Sequence, residues 1–221
     1  MSEHLQLERT RVKICGIRDH GAAEAAAAAG ADAIGFIFAS GSPRLIDPDE
    51  AFEIMMVLPP LVQTVAVTRD LSVDAFSELE QRCPTNLNQL HGTESEKTVR
   101  ACGPNVIKAF RYDGATIGTQ LRRWGAVDEV DAVLIDGSEG GEGTALDWAA
   151  LAEHLGAARG EGFDKPIILA GGLSPDNVGA AIAAVRPYAV DVSSGVESSP
   201  GVKDHGAIRA FGAAVRAADA E

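Results

Sequence analysis

Eight short apolar, β-branched runs recur along the chain with helix-patterned segments between them, and this repeat constrains the fold more than any other feature. The runs are RVKIC (11–15), DAIGFIF (32–38), LVQTVAV (61–67), TNLNQL (85–90), NVIKAF (105–110), VDAVLID (130–136), KPIILA (165–170) and YAVDVS (188–193). Apolar strands separated by helical crossovers are the pattern of a parallel sheet covered on both faces. Asp19 and Ser72 are placed to cap helices, Pro48 and Pro175 to open them in the first turn, and Gly30, Gly103 and Gly156 to stop them. A closing helix follows Lys203. Eight strand and helix units in 221 residues predict an α/β fold, a single-domain (β/α)8 TIM barrel over 11–221, with residues 1–10 as an N-terminal extension. An open doubly wound sheet is the alternative, and the missing G-x-G-x-x-G after the first run argues against it.

Composition narrows the partners. No stretch reaches about 18 consecutive apolar residues, and MSEHLQLERT lacks the apolar centre and cleavage site of a signal peptide, so a cytoplasmic protein without membrane contact is expected. Thirty-two acidic residues face nineteen basic ones, a net charge of -13, with no Lys/Arg cluster to track a phosphate backbone. Nucleic acid is not an expected partner. A small anionic ligand remains compatible, because a few backbone N–H groups and one arginine bind it locally. The cysteines, Cys15, Cys83 and Cys102, are odd in number and widely spaced, which favours reduced thiols. No His/Cys/Asp spacing resembles a metal site and no nucleotide loop is present, so neither metal nor cofactor is expected.

In a (β/α)8 barrel the active site is built after the C-terminal ends of the strands, so each run is read at its last residues. Strand 7 ends in Gly171-Gly172 and strand 8 in Ser193-Ser194-Gly195. Either is ordinarily a tight turn. Together, on adjacent strands, they are a candidate phosphate cradle of Gly171, Gly172, Ser194 and Gly195, because bare backbone lets N–H groups approach an oxyanion. Asp136 ends an apolar strand, where desolvation suits a carboxyl to general acid work; a turn or capping aspartate is the equal alternative. Cys15 ends strand 1. A buried free cysteine is usually a small hydrophobe, yet across a barrel mouth from an acid it is a candidate base. Arg44 is a candidate carboxylate binder or a solvent-exposed loop charge. Gln89 and His91, at the end of strand 4, are substrate-binding candidates, although a histidine there is as often structural. His4, His20, His154 and His205 are read as surface residues.

KICGI, GFIF leading to SPR, QLHG, VIKAF, an aspartate followed by GGEG and LDW, LAGGLSPDNV and VDVSSGVESSPGVKD occur in an order that resembles the phosphoribosylanthranilate isomerase family of tryptophan biosynthesis. The resemblance spans residues 11 to about 211. It implies an Amadori rearrangement of N-(5'-phosphoribosyl)anthranilate to 1-(2-carboxyphenylamino)-1-deoxyribulose 5-phosphate, without metal or cofactor. In that reading Asp136 protonates the furanose ring oxygen, Cys15 removes the C2' proton, Arg44 holds the anthranilate end, and the backbone around Gly171, Gly172, Ser194 and Gly195 holds the phosphate. A free thiol is mostly protonated near neutral pH, so Cys15 needs a lowered value, for which Lys13 on the same strand face or the local backbone dipoles are the candidates.

Three departures stand out: Glu142 in GGEG where the family has GGTG, the Thr68-Arg69-Asp70 ending of strand 3, and Asn88 at a usually apolar strand position. Two other readings stay open. A related isomerase of the histidine pathway, or a dual-substrate enzyme, would carry an aspartate in place of Cys15. A phosphate-binding barrel without catalysis would bind but not turn over. The assembly expected is a monomer or a homodimer.

Overall fold

The computed structural model describes residues 9–137 and 146–220. Eight parallel strands close into one barrel in chain order: β1 (Arg11–Cys15), β2 (Ala33–Ile37), β3 (Gln63–Thr68), β4 (Leu87–Leu90), β5 (Val106–Arg111), β6 (Val130–Asp136), β7 (Ile167–Ala170) and β8 (Ala189–Val192), with β8 pairing back onto β1. The crossovers are α1 (His20–Ala28), α2 (Pro48–Met56), α3 (Val73–Arg82), α4 (Glu96–Ala101), α5 (Ile117–Gly125), α6 (Trp148–Gly160), α7 (Val178–Val185) and α8 (His205–Asp219). All eight expected runs are strands, and the (β/α)8 barrel is the fold.

The period of two along each strand divides the core into two layers. Val12, Ile14, Val133, Ile135, Val190 and Val192 point outward into the layer between strands and helices. Their neighbours point into the barrel, where Val65, Val67, Ile107, Ala109, Leu134, Ile168 and Ala170 fill the interior. The filling is not wholly apolar. Lys13 and Asp191, paired across the β1–β8 register, form a buried ion pair at 2.9 Å. Asn88 lies on the helix-facing side, which accounts for its departure from an apolar type: its Nδ2 donates to Glu80 Oε1 on α3 at 3.0 Å.

Local signals operate as expected at most ends. Asp19 accepts from Ala22 N, Ser72 accepts from Ala75 N, Pro48 opens α2, and Gly30 with φ +87° ends α1. Two expectations are corrected. Gly156 lies within α6, which runs on to Gly160 because the flanking alanines and leucines carry the helix past one glycine. Pro175 is not in the first turn of α7; it sits in a turn that Asn177 closes, accepting from Ser174 N at 2.8 Å and donating to Gly172 O at 2.9 Å. Strand 3 also starts later than its apolar run, at Gln63, since Leu61 is 94% exposed with φ +73°.

The remaining expectations concern chain ends and surface. Arg9 forms an ion pair with Asp32, and the Thr10 N–H and hydroxyl donate to the Asp219 carboxylate at 2.9 and 2.7 Å, tying this segment to the end of α8. His20 and His205 are exposed, whereas His154 is half-buried, its Nδ1 2.7 Å from Ala150 O and 3.2 Å from the Tyr112 hydroxyl. His4 and Glu142 lie outside the described residues. Among the described residues no helix is long and apolar enough to cross a membrane, and no group of His, Cys, Asp and Glu is arranged to hold a metal ion. All three cysteines are buried free thiols.

Candidate active site

The C-terminal ends of the strands surround a cavity of about 230 Å³. Cys15, Arg44, Gln89, His91, Asp136, Gly171, Gly172 and Ser194 all line it, so eight of the nine residues singled out in the sequence converge on one space. Gly195 does not line it. A Cβ there would overlap the Leu173 carbonyl oxygen, so only glycine lets the short 3-10 turn Ser194–Val196 close onto the β7–α7 loop. Gly171 and Gly172 hold φ of +91° and +67°, the left-handed region that glycine adopts without strain.

Cys15 is fixed from three sides. Its carbonyl accepts from Ser193 Oγ at 3.1 Å, Gly16 turns the chain with φ +77°, and Gly35 of β2 leaves room beside the thiol. A Cβ at Gly35 would stand 2.8 Å from Cys15 Sγ. Gly35→Ala is therefore expected to displace the thiol and lower kcat roughly 10- to 100-fold with the fold retained, because small misplacements of a reacting group are costly. Steady-state kinetics beside circular dichroism checks this, and unchanged kcat would mean that Sγ needs no fixed position.

The expected lowering of the Cys15 thiol is corrected. Burial pushes it above its ordinary 9.0; Lys13 and Lys203 pull it down, Asp191 pushes it further up, and burial outweighs the lysines. Lys13 acts in the expected direction without deciding the outcome. Its own ammonium is held charged, because Asp191 and Cys15 outweigh the burial that would lower it.

Arg44 lies over Gly16, where a Cβ would meet its Cδ at 2.6 Å. Its Nε and Nη2 donate to Glu197 Oε1 and Oε2 at 2.7 and 2.9 Å, a bidentate pair. Glu197, on the strand β9 (Glu197–Ser199) that forms a small hairpin with β10 (Val202–Lys203), also accepts from Lys203 Nζ at 2.9 Å and Gly201 N at 3.2 Å. Burial would raise its carboxyl, and these donors hold it low instead. Neither Glu197 nor the Lys13–Asp191 pair stood out in the sequence. Lys13 and Asp191 carried a signal nonetheless, as inward-facing charges on the two strands that meet when a barrel closes.

The end of β4 is braced from outside. Lys108 on β5 is buried, and its Nζ donates to Leu90 O, Gly92 O, Ala109 O and Glu94 Oε2 at 2.8 to 3.0 Å. Glu94 in turn accepts from Asp70 N at 3.0 Å, and Asp70 Oδ1 accepts from Thr93 N at 2.7 Å. The unusual Thr68-Arg69-Asp70 ending thus clips the β3–α3 loop to the β4–α4 loop. Inside this brace Gln89 Nε2 donates to His91 Nδ1 at 3.1 Å, and His91 Nε2 lies 3.3 Å from Asp136 Oδ2.

A closed eight-stranded barrel with a thiol, a carboxyl and two glycine turns around one mouth places the chain among (β/α)8-barrel enzymes. The chain belongs to the N-(5'-phosphoribosyl)anthranilate (PRA) isomerase family, whose sequence profile matches residues 12–214. It is 46% identical over 206 residues to the N-(5'-phosphoribosyl)anthranilate isomerase of Geobacter sp. (strain M21), covering 91% of this chain and 96% of that one. It is 42% identical over 208 residues to that of Pseudomonas aeruginosa (strain PAO1), covering 93% and 95%. Among solved structures it matches phosphoribosyl anthranilate isomerase from Thermus thermophilus with TM-score 0.81 and 38% identity, covering 94% of this chain and 99% of that one. A structure of phosphoribosyl anthranilate isomerase in complex with reduced 1-(o-carboxyphenylamino)-1-deoxyribulose 5-phosphate also matches with TM-score 0.81, at 34% identity over 94% and 99% of the two chains.

Proposed function

We propose that the chain carries out its family's reaction with Asp136 as general acid and Cys15 as general base. The enzyme is an isomerase of tryptophan biosynthesis that converts the aminoaldose N-(5'-phosphoribosyl)anthranilate into its 1-deoxyribulose aminoketose. The observation that carries the acid/base assignment is the convergence of Cys15 and Asp136, from β1 and β6, on one cavity with two glycine turns at its rim.

Asp136 gives its proton to the ring oxygen, the C1'–O bond breaks, and the anthranilate nitrogen's lone pair forms the C1'=N Schiff base. Cys15, in the minority thiolate form that burial disfavours and Lys13 and Lys203 support, takes the C2' proton, and the C2'–H electrons form the C1'=C2' bond of an enolamine while the C=N electrons return to nitrogen. Loss of the 2'-hydroxyl proton and protonation at C1' give the ketone. Two protons leave and two arrive, so the isomerisation balances within the substrate and the acid/base pair. The phosphate rests on the backbone around Gly171, Gly172, Ser194 and Gly195, the last of which also lets that turn close. Arg44 faces the anthranilate carboxylate, and its bidentate hold on Glu197 fixes the guanidinium at the rim. Gln89 and His91 complete the substrate-side wall.

The setting is cytoplasmic, with a small phosphosugar as the substrate and no nucleic acid or membrane partner. The assembly is a monomer or a homodimer; a Thermotoga maritima relative is described as dimeric, from which monomers were generated. The direct test follows the loss of anthranilate-type fluorescence when purified protein meets freshly generated phosphoribosylanthranilate. Turnover is expected, and binding of a product analogue without turnover would overturn the reading.

A further inference from the structure

We propose that Gln89 and His91 are positioning residues for Asp136: the run Gln89–His91–Asp136 holds a hydrogen-bond donor on the carboxyl as it loses its proton. The inference rests on Asp136 being the general acid, and it goes beyond the substrate-binding role first read for the two side chains.

Gln89 is 1% exposed and faces into the barrel from β4, so its amide is held by packing. Its Nε2, an obligate donor, points at His91 Nδ1 across 3.1 Å. A neutral imidazole carries one ring proton; with Nδ1 accepting, that proton sits on Nε2. Nε2 is the nitrogen that faces Asp136 Oδ2, across a charge-pair distance of 3.3 Å that is longer than an aligned hydrogen bond and closes as charge develops on the carboxyl. The amide therefore selects the tautomer, and the tautomer puts the ring proton on the nitrogen nearest the carboxyl.

Two further observations support this. Lys108 Nζ holds Leu90 O and Gly92 O, the carbonyls on either side of His91, so the imidazole projects from a braced backbone. Gln89 Oε1 is buried without a hydrogen-bond partner among the described residues, a cost that an apolar residue of similar shape would avoid. Packing alone gives no reason for glutamine there, whereas the donor end has a defined task.

The consequence is kinetic. As Asp136 passes its proton to the ring oxygen, negative charge develops on its carboxyl, and a donor on Oδ2 strengthens at that moment. An interaction stronger in the transition state than in the ground state appears in kcat and leaves KM nearly unchanged.

The test uses His91→Asn and His91→Gln, each with Asp136 and with Asp136→Asn. The Asn amide reaches only the place of Nδ1, whereas the Gln amide reaches the place of Nε2 and restores the donor. His91→Asn is expected to lower kcat roughly 10- to 100-fold with KM within about twofold, His91→Gln to recover most of it, and His91→Asn to add nothing once Asp136 is Asn. A raised KM at unchanged kcat, or full additivity with Asp136→Asn, overturns the proposal. Nitrogen chemical shifts of His91 supply a readout besides turnover: a protonated Nε2 and a bare Nδ1 are expected, and a proton on Nδ1 overturns it. Wild-type kcat in Asp136→Asn alone would instead mean that the acid assignment has failed.

Discussion

Asp136→Asn is expected to lower kcat by about 10³-fold, within the range that general acid catalysis contributes, while KM stays close to that of the wild type. Asparagine keeps the volume and the polar tip of the side chain but has no proton to give to the ring oxygen. The geometry around it has little reason to change. Asp136 is the last residue of β6, its carbonyl accepts from Tyr112 N at 2.9 Å, and its backbone is registered against Arg111 on one side and Ala170 on the other. The inward alternation Ala132, Leu134, Asp136 puts the side chain at the mouth whether it ends in a carboxyl or an amide. Ring opening is then the step that slows, and substrate held by its phosphate and carboxylate ends still binds. Steady-state kinetics with the fluorescent substrate decides it. A kcat within about tenfold of wild type would remove Asp136 from the chemistry and return it to the role of a turn aspartate.

The barrel was legible because its strands are apolar on both faces, so β6 and β7 read as nearly continuous Val, Ile and Leu, while Asp19 and Ser72 marked helix starts through side-chain oxygens that only a cap explains. Strand ends were legible for the same reason. Once the apolar run stops, the next polar side chain is at the mouth, and eight of nine candidates line the cavity on that logic. What the sequence hid is pairwise. Lys13 and Asp191 are 178 residues apart and meet only through closure of β1 onto β8, while Glu197 captures Arg44 from a hairpin with no strong strand pattern. Gly156 and Pro175 misled for local reasons: a glycine among good helix formers does not stop a helix, and a proline before a helix serves a turn as readily as a first turn. The sign of the Cys15 shift was hidden too. Lys13 is visible two residues away, but the burial that outweighs it is a property of the closed barrel.

That burial gives Cys15→Ser two expected signatures. The first is a fall in kcat of about 10³-fold or more at near-constant KM, because a serine hydroxyl is far too weak a base to take the C2' proton although it fits the space beside Gly35. The second is in stability against pH. The folded protein holds the Cys15 proton more tightly than the unfolded chain does, since burial pushes the thiol above its ordinary 9.0. As pH rises past that value the unfolded chain releases its proton first and gains free energy of ionisation that the folded chain has not yet gained, so stability falls. Cys83 and Cys102, pushed up to about 11 by burial, contribute losses of the same sign between 9 and 11, and these persist in the variant. Denaturant midpoints of the wild type are therefore expected to drop more steeply above pH 9 than those of Cys15→Ser, the difference isolating Cys15. Equal slopes would mean that the thiol titrates alike in both states. A kcat within about tenfold of wild type would make Cys15 the packing residue that buried cysteines usually are.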